Sequence, residues 1–240
     1  MTGEDAGQPG RPDRIVTGPV RSSERRCRKR LDPDTVRTLP DGTDVIVDLS
    51  EWPLPLGLEK VFGSAAPVAL EIGPGKGEFI LEMAKANPGM GFLAVEYKRT
   101  RVERIGGRVV RAGVTNVRLT WSDARILVTD CLPPASLVAV YMNFPDPWPK
   151  RRHRRRRLAQ APFLESLARV VVPGGTFTLG TDVEDYATQV VGALELAGTW
   201  ENVFGRARIV DRIEGYGTTH FERRFREQGV AIHFLRYRRL

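Results

Sequence analysis

The sequence predicts an α/β domain in which a mostly parallel central sheet carries helices on both faces. Two observations lead there. From about residue 65 onward, short apolar runs alternate with segments of helical period, and such alternation joins parallel strands through crossover helices. The first of these runs also ends in a glycine-rich turn, Gly73, Gly75 and Gly77, that opens directly into a helical segment. Sheets of this kind bind ligands at the carboxyl ends of their strands.

The elements follow in order. Residues 1 to about 40 are rich in Gly, Pro, Asp and Arg, show no apolar period, and read as a flexible basic tail ahead of a domain over 41–240. Within that tail, 21–30 holds six basic residues against Glu24, which suits either a second RNA contact or a solvated tail. Buried strands are predicted at 67–72, 91–96, 117–121, 137–144 and 176–180, with a closing strand at 230–237. Helices are predicted at 77–86, 98–112, 156–171 and 183–197. In the first, Ile80, Met83 and Ala84 share a face; in the second, Val102, Ile105 and Val109 do so.

Composition narrows the function. Hydrophobic residues make up 41% of the 240, enough for a core. The net charge is +8, and residues 150–157 alone carry seven basic side chains, so the rest of the chain sums to +1. Charge concentrated in one run favours a polyanion footprint over general basicity, although such runs also occur as solvated faces or localisation signals. Two cysteines and three histidines in no ligand spacing predict neither a disulfide framework nor a metal site. No apolar stretch reaches the roughly 18 residues of a membrane span, and the N-terminus lacks a hydrophobic signal core, so a cytoplasmic location is expected. Nothing in the sequence separates a monomer from a homodimer.

The most specific segment is Asn143 to Arg157, NFPDPWPKRRHRRRR. Phe144, Asp146 and Trp148 each precede a proline, and prolines push the preceding residue toward extended conformations. The segment therefore predicts a stiff, extended arm carrying an acid and an aromatic face beside a positive patch, a fitting hold for a nucleic-acid base. Trp148 and Phe144 read equally well as stacking faces or as core.

Three acids close three successive strands. Glu71 ends the first, Glu96 the second, where a carboxylate can accept from ribose hydroxyls, and Asp123 the third, in reach of an adenine amino group. Acids at such positions also serve as helix N-caps. Glu78 stands where a dinucleotide fingerprint carries its last Gly or Ala. That argues against a nicotinamide cofactor and for the methyl-donor variant of the same architecture.

At this point the chain resembles the bacterial tRNA (guanine-N(7)-)-methyltransferases. The resemblance is carried by EIGPGKGEF at 71–79, Glu96, the NFPDPWPKRRHRRRR block, TD-x-x-x-YA at 181–187 and THFE at 219–222, in that order over about 65–240. It implies a Rossmann-like class I methyltransferase fold and transfer of a methyl group from S-adenosyl-L-methionine to nitrogen-7 of guanine at position 46, in the tRNA variable loop. It further implies that Glu71, Gly73, Gly75, Gly77, Glu96, Asp123 and Asp146 hold the cofactor, with Asp146 catalytic. Lys150, Asp182, Thr219, His220, Phe221 and Glu222 match substrate contacts. Asp182 could also simply cap the helix that follows it, the guanine contact being the favoured reading, and His220 stands where the family more often has Lys. Arg151, Arg152, Arg154, Arg155 and Arg156 are read as phosphate contacts, which give register without base specificity. The alternatives are methylation of another RNA site and a catalytically silent RNA-binding module of the same fold.

Overall fold

The structure is a computed structural model and describes residues 38–39 and 41–240. The basic stretch at 21–30 lies outside the described residues. Leu39, inside the expected tail, is buried, and Thr38 pairs with Asp44 across a short turn. A lone apolar residue beside a proline has no periodicity to reveal it.

Eight strands form one sheet: β1 Ile46–Val47, β2 Val68–Ile72, β3 Gly91–Glu96, β4 Val117–Trp121, β5 Leu137–Asn143, β6 Val171–Thr181, β7 Trp200–Asn202 and β8 His233–Arg239. Their spatial order is β1-β4-β3-β2-β5-β6-β8-β7, all parallel up to β6, with β8 antiparallel to β6 and to β7. The order reverses between β2 and β5, which places the ligand crevice beyond the carboxyl ends of those two strands.

Helices α1 Leu58–Phe62, α2 Glu78–Ala86, α3 Arg99–Arg111, α4 Ala124–Ile126, α5 Ala161–Val170, α6 Glu184–Ala197 and α7 His220–Glu227 complete the architecture; α4 runs on into a π-helical turn, Leu127–Cys131. The strands sort their residues by parity. Ala69, Phe92, Ala94 and Tyr141 pack with Phe79 and Ile80 of α2 and Ile105 of α3. Leu70, Leu93, Val95 and Met142 pack on the other face with Leu167 of α5 and Tyr186 and Val190 of α6. This is the two-faced sheet that the alternation predicts.

Three boundaries differ from expectation. The helix expected at 156–171 begins at Ala161, because Pro162 in its first turn starts a helix without needing an N–H partner; residues Arg151–Arg156 instead form a 3-10 turn. Strand β6 begins at Val171, its start hidden by Pro173, Gly174 and Gly175. There Gly174 is left-handed, and a Cβ on Gly175 would meet the Val138 carbonyl at 2.9 Å. The closing strand starts three residues later than expected and ends two later, at 233–239, since Val230 and Ala231 are exposed.

Candidate active site

Strand β2 delivers Glu71 to the crevice, on the same face as Ala69. Its carboxyl is 2% exposed, and Oε2 has no hydrogen-bond partner. Burial pushes its pKa up to about 8, while the nearby Asn143 amide pulls the other way. Yet Asn143 Nδ2 forms no hydrogen bond of ordinary geometry, and its Oδ1 accepts from the Tyr216 hydroxyl at 2.8 Å. Two orphaned polar atoms thus face one crevice, which is the signature of a site built for a ligand.

The glycine turn serves two purposes. All three glycines have positive φ, at 71°, 58° and 76°. Gly73 and Gly75 line a cavity of about 470 Å³. Gly77 does not; a Cβ there would lie 2.7 Å from Ile105 Cγ2, so it lets α2 approach α3.

Glu96, 5% exposed, closes β3. Its Oε1 accepts from the Lys98 backbone N–H at 2.8 Å, and Oε2 lies 3.5 Å from the Arg101 guanidinium. Asp123 is the N-cap of α4, accepting from the Arg125 N–H at 2.8 Å. The capping role is therefore real for Asp123, and it lines the cavity all the same.

The arm is not extended. Phe144 and Trp148 both sit in the left-handed region, at φ 50° and 42°. Tertiary contacts override the proline preference. Phe144 ends the β5–β6 ladder by donating its N–H to Gly180 and packs its ring against Phe221 and Phe225. Trp148 carries the Arg156 guanidinium 4.9 Å above its ring. Asp146, between these two turns, is exposed and lines the cavity with Phe144, Trp148 and Arg156.

Helix α7 approaches the glycine turn. Thr219 caps it by accepting from the Glu222 N–H at 2.9 Å, and Glu222 is buried in an ion pair with Arg226. His220 Nε2 lies 3.1 Å from Lys76 Nζ, a Cβ on Gly75 would lie 3.9 Å from the Phe221 ring, and Arg223 pairs with Glu78. Thr219, His220 and Phe221 line the cavity, whereas Glu222 stands behind them.

Of the remaining candidates, Lys150, Asp182, Arg151, Arg152, Arg154 and Arg155 do not line the cavity. Asp182 is not a helix cap: Val183 holds the N-cap position of α6 with no side-chain cap bond. Arg151, Arg152 and Arg155 are exposed, but Arg154 is ion-paired with Asp185 at 2.9 Å. Arg157, grouped by sequence with the phosphate-binding run, is 1% exposed and faces inward. Sequence reasoning missed Tyr216 and Arg101. Tyr216 had no local signal, lying between glycines far from its partner Asn143. Among the described residues, no group of three or more His, Cys, Asp or Glu side chains is placed to hold a metal ion, and no helix is long and apolar enough to cross a membrane.

Comparison with known proteins agrees with this fold. The family described as "Putative methyltransferase" matches residues 65–235. The 16S rRNA methyltransferase KamB shares the fold at TM-score 0.58 and 16% identity, over 85% of this chain and 99% of that one. A SAM-dependent methyltransferase from Aquifex aeolicus does so at TM-score 0.52 and 17% identity, over 90% and 98%. The tRNA (guanine-N(7)-)-methyltransferase of Geobacter metallireducens is 35% identical over 79% of this chain and 90% of its own length. That of Halorhodospira halophila is 42% identical over 76% and 79%. On these grounds the chain belongs to the bacterial tRNA (guanine-N(7)-)-methyltransferase family.

Proposed function

We propose that this enzyme methylates nitrogen-7 of a guanine in tRNA, at position 46 of the variable loop, using S-adenosyl-L-methionine. The observation that carries the reading is the meeting of Glu71, Glu96, Asp123 and Asp146, from four separate segments, around one cavity that Trp148 and Arg156 also line. The cofactor fits the donor set: Glu71 Oε2 and Asn143 Nδ2 are buried without partners, and Glu71 suits a cationic group. Glu96 suits ribose hydroxyls and Asp123 an adenine amine, with Gly73 and Gly75 admitting the ligand close to the backbone.

When bound, S-adenosyl-L-methionine supplies a methyl group already activated by its positive sulfur. Nitrogen-7 of guanine carries an in-plane lone pair and no proton, so the protein has no nucleophile to create. Its residues position the base, an effect for which about 7–11 kcal/mol is available. Asp146 accepts hydrogen bonds at the reacting end of the cavity and offsets the positive charge left on the base. Asp182, Thr219, His220 and Phe221 supply further contacts to the guanosine, and Glu222, paired with Arg226, backs them from behind. Lys150, Arg151, Arg152 and Arg155 grip phosphates, joined by Arg154 and Arg156 from their places beside Asp185 and Trp148.

Incubation with labelled donor and unmodified tRNA, followed by reduction and aniline cleavage, tests the reading; strand scission at guanine 46 is the expected result, and its absence defeats the assignment. Asp146→Ala should abolish methylation while tRNA affinity and the fold persist.

A further inference from the structure

Arg157 is the largest fully buried side chain of the described residues, at 1% exposure. A buried cation is costly unless it is paired and hydrogen-bonded, and this one is used on every side. Its Nε donates to the Pro147 carbonyl at 2.9 Å, Nη1 to Gln189 Oε1 at 2.7 Å and Nη2 to Asp185 Oδ2 at 2.7 Å. Its guanidinium also lies 4.7 Å from the centre of the Tyr186 ring.

The three acceptors belong to two parts of the site. Pro147 lies between Asp146 and Trp148. Asp185 and Gln189 are one turn apart on α6, on a single face, and that helix follows Asp182 directly. The Pro147 carbonyl shares a peptide plane with the Trp148 nitrogen, so fixing the direction of that carbonyl fixes one side of the Trp148 φ torsion. Arg156 over the indole holds the other side. A non-glycine residue in the left-handed region costs on the order of 1–3 kcal/mol and persists only where its surroundings over-determine it. At Trp148 two consecutive arginines do so.

Building on the proposed function, we propose that Arg157 is a positioning residue for methyl transfer. It clamps the Asp146-bearing arm to α6, so that Asp146 and Asp182 keep one spacing around the guanine.

Steady-state kinetics with tRNA and S-adenosyl-L-methionine on Arg157→Lys tests this. A lysine keeps the charge but lacks the planar fork that reaches three acceptors. The expected result is a kcat lower by about 10- to 100-fold, the range for a displacement near 1 Å. KM for tRNA, its salt dependence and the cofactor Kd should stay within about threefold of the parent values, because the fork makes no phosphate contact. Gln189→Ala leaves Arg157 in place and removes one acceptor; its kcat should fall by a smaller factor, about three- to tenfold for one hydrogen bond. An unchanged kcat with raised KM and a flatter salt slope would make Arg157 a phosphate contact and overturn the clamp. So would a fall in kcat matched by an equal fall in cofactor-binding stoichiometry, which marks misfolding. A parent enzyme that makes no 7-methylguanosine defeats the activity reading itself, and the clamp with it; an active parent with an equally active Arg157→Lys defeats the clamp alone.

Discussion

Changing pH across the titration of Glu71, with Glu71→Gln as the fixed neutral reference, reads the electrostatics of cofactor binding directly. Burial holds this carboxyl near a pKa of about 8. Before any ligand binds, then, about 1% is ionised at pH 6, about 9% at pH 7 and half at pH 8. A cationic ligand group prefers the ionised form, and a charged hydrogen bond of about 1.5–3 kcal/mol makes that form bind about 10- to 150-fold more tightly. Comparing the two proteins at each pH cancels titration of the cofactor's own amine. The parent should therefore bind S-adenosyl-L-methionine within about threefold of Glu71→Gln at pH 6, and about 10- to 150-fold more tightly above pH 9. Calorimetry at pH 7 in two buffers of different ionisation enthalpy should show the parent releasing about 0.4 to 0.85 of a proton more than the variant. An affinity ratio that stays flat from pH 6 to 9, with no difference in proton release, would refute both the raised pKa and the placement of a cationic group at Glu71. The apo protein supplies a second check. Because the folded pKa lies above the ordinary value of 4.5, the stability Glu71 contributes is complete below that value and is lost as pH rises toward 8. Urea titration should then find Glu71→Gln the more stable protein at pH 9, with a ceiling of about 5 kcal/mol.

Other predictions concern the basic turn and the packing beneath the site. Reversing Arg151, Arg152 and Arg155 to Glu should flatten the log–log salt slope of tRNA binding by about 2, at roughly 0.7 per single-strand phosphate contact; an unaltered slope removes these residues from the interface, and cofactor affinity should not change. Gly77→Ala places a Cβ 2.7 Å from Ile105 at a φ of 76°, which should lower stability by about 2–4 kcal/mol; an unshifted denaturation midpoint would show that α3 yields freely. Tyr216→Phe keeps the ring contacts with Phe79, Tyr141 and Phe234 but strips Asn143 Oδ1 of its donor. A loss of about 1–3 kcal/mol in thermal unfolding is expected, and a neutral outcome would mean that water replaces the phenol.

The central fold was legible because its strands are short, largely buried segments rich in apolar and β-branched residues: 91–96 and 117–121 match β3 and β4 residue for residue, even though 117–121 carries Arg118. What escaped detection was short or terminal. The two residues of β1 and the three of β7 acquire their identity only by pairing with β4 and β8, and Pro173-Gly174-Gly175 disguised the start of β6. These are elements that tertiary pairing creates and that local preference does not announce.

The site divides along the same line. Glu71, Glu96 and Asp123 line the cavity, as read from sequence, because their position follows from strand ends, a property of local sequence. The arm's conformation was misjudged because local rules held only its prolines in view, whereas its shape is set by partners far along the chain: Gly180 at Phe144 and the pair Asp185 and Gln189 through Arg157. Seven basic residues in a row of eight look alike in sequence, yet Lys150, Arg151, Arg152 and Arg155 are exposed, Arg156 is exposed but stacks on Trp148, Arg154 pairs with Asp185 and Arg157 is buried. Charge alone cannot sort them, because a guanidinium serves equally as a phosphate grip and as an internal strut. What decides is the number of acceptors the fold aims at each one. Arg157 has three, drawn from both sides of the proposed guanine site, and it shares Asp185 with Arg154. On the proposed function, a strand of RNA docking on the exposed arginines would meet, one ion pair deeper, the same carboxylate that holds the arm of Asp146 in place.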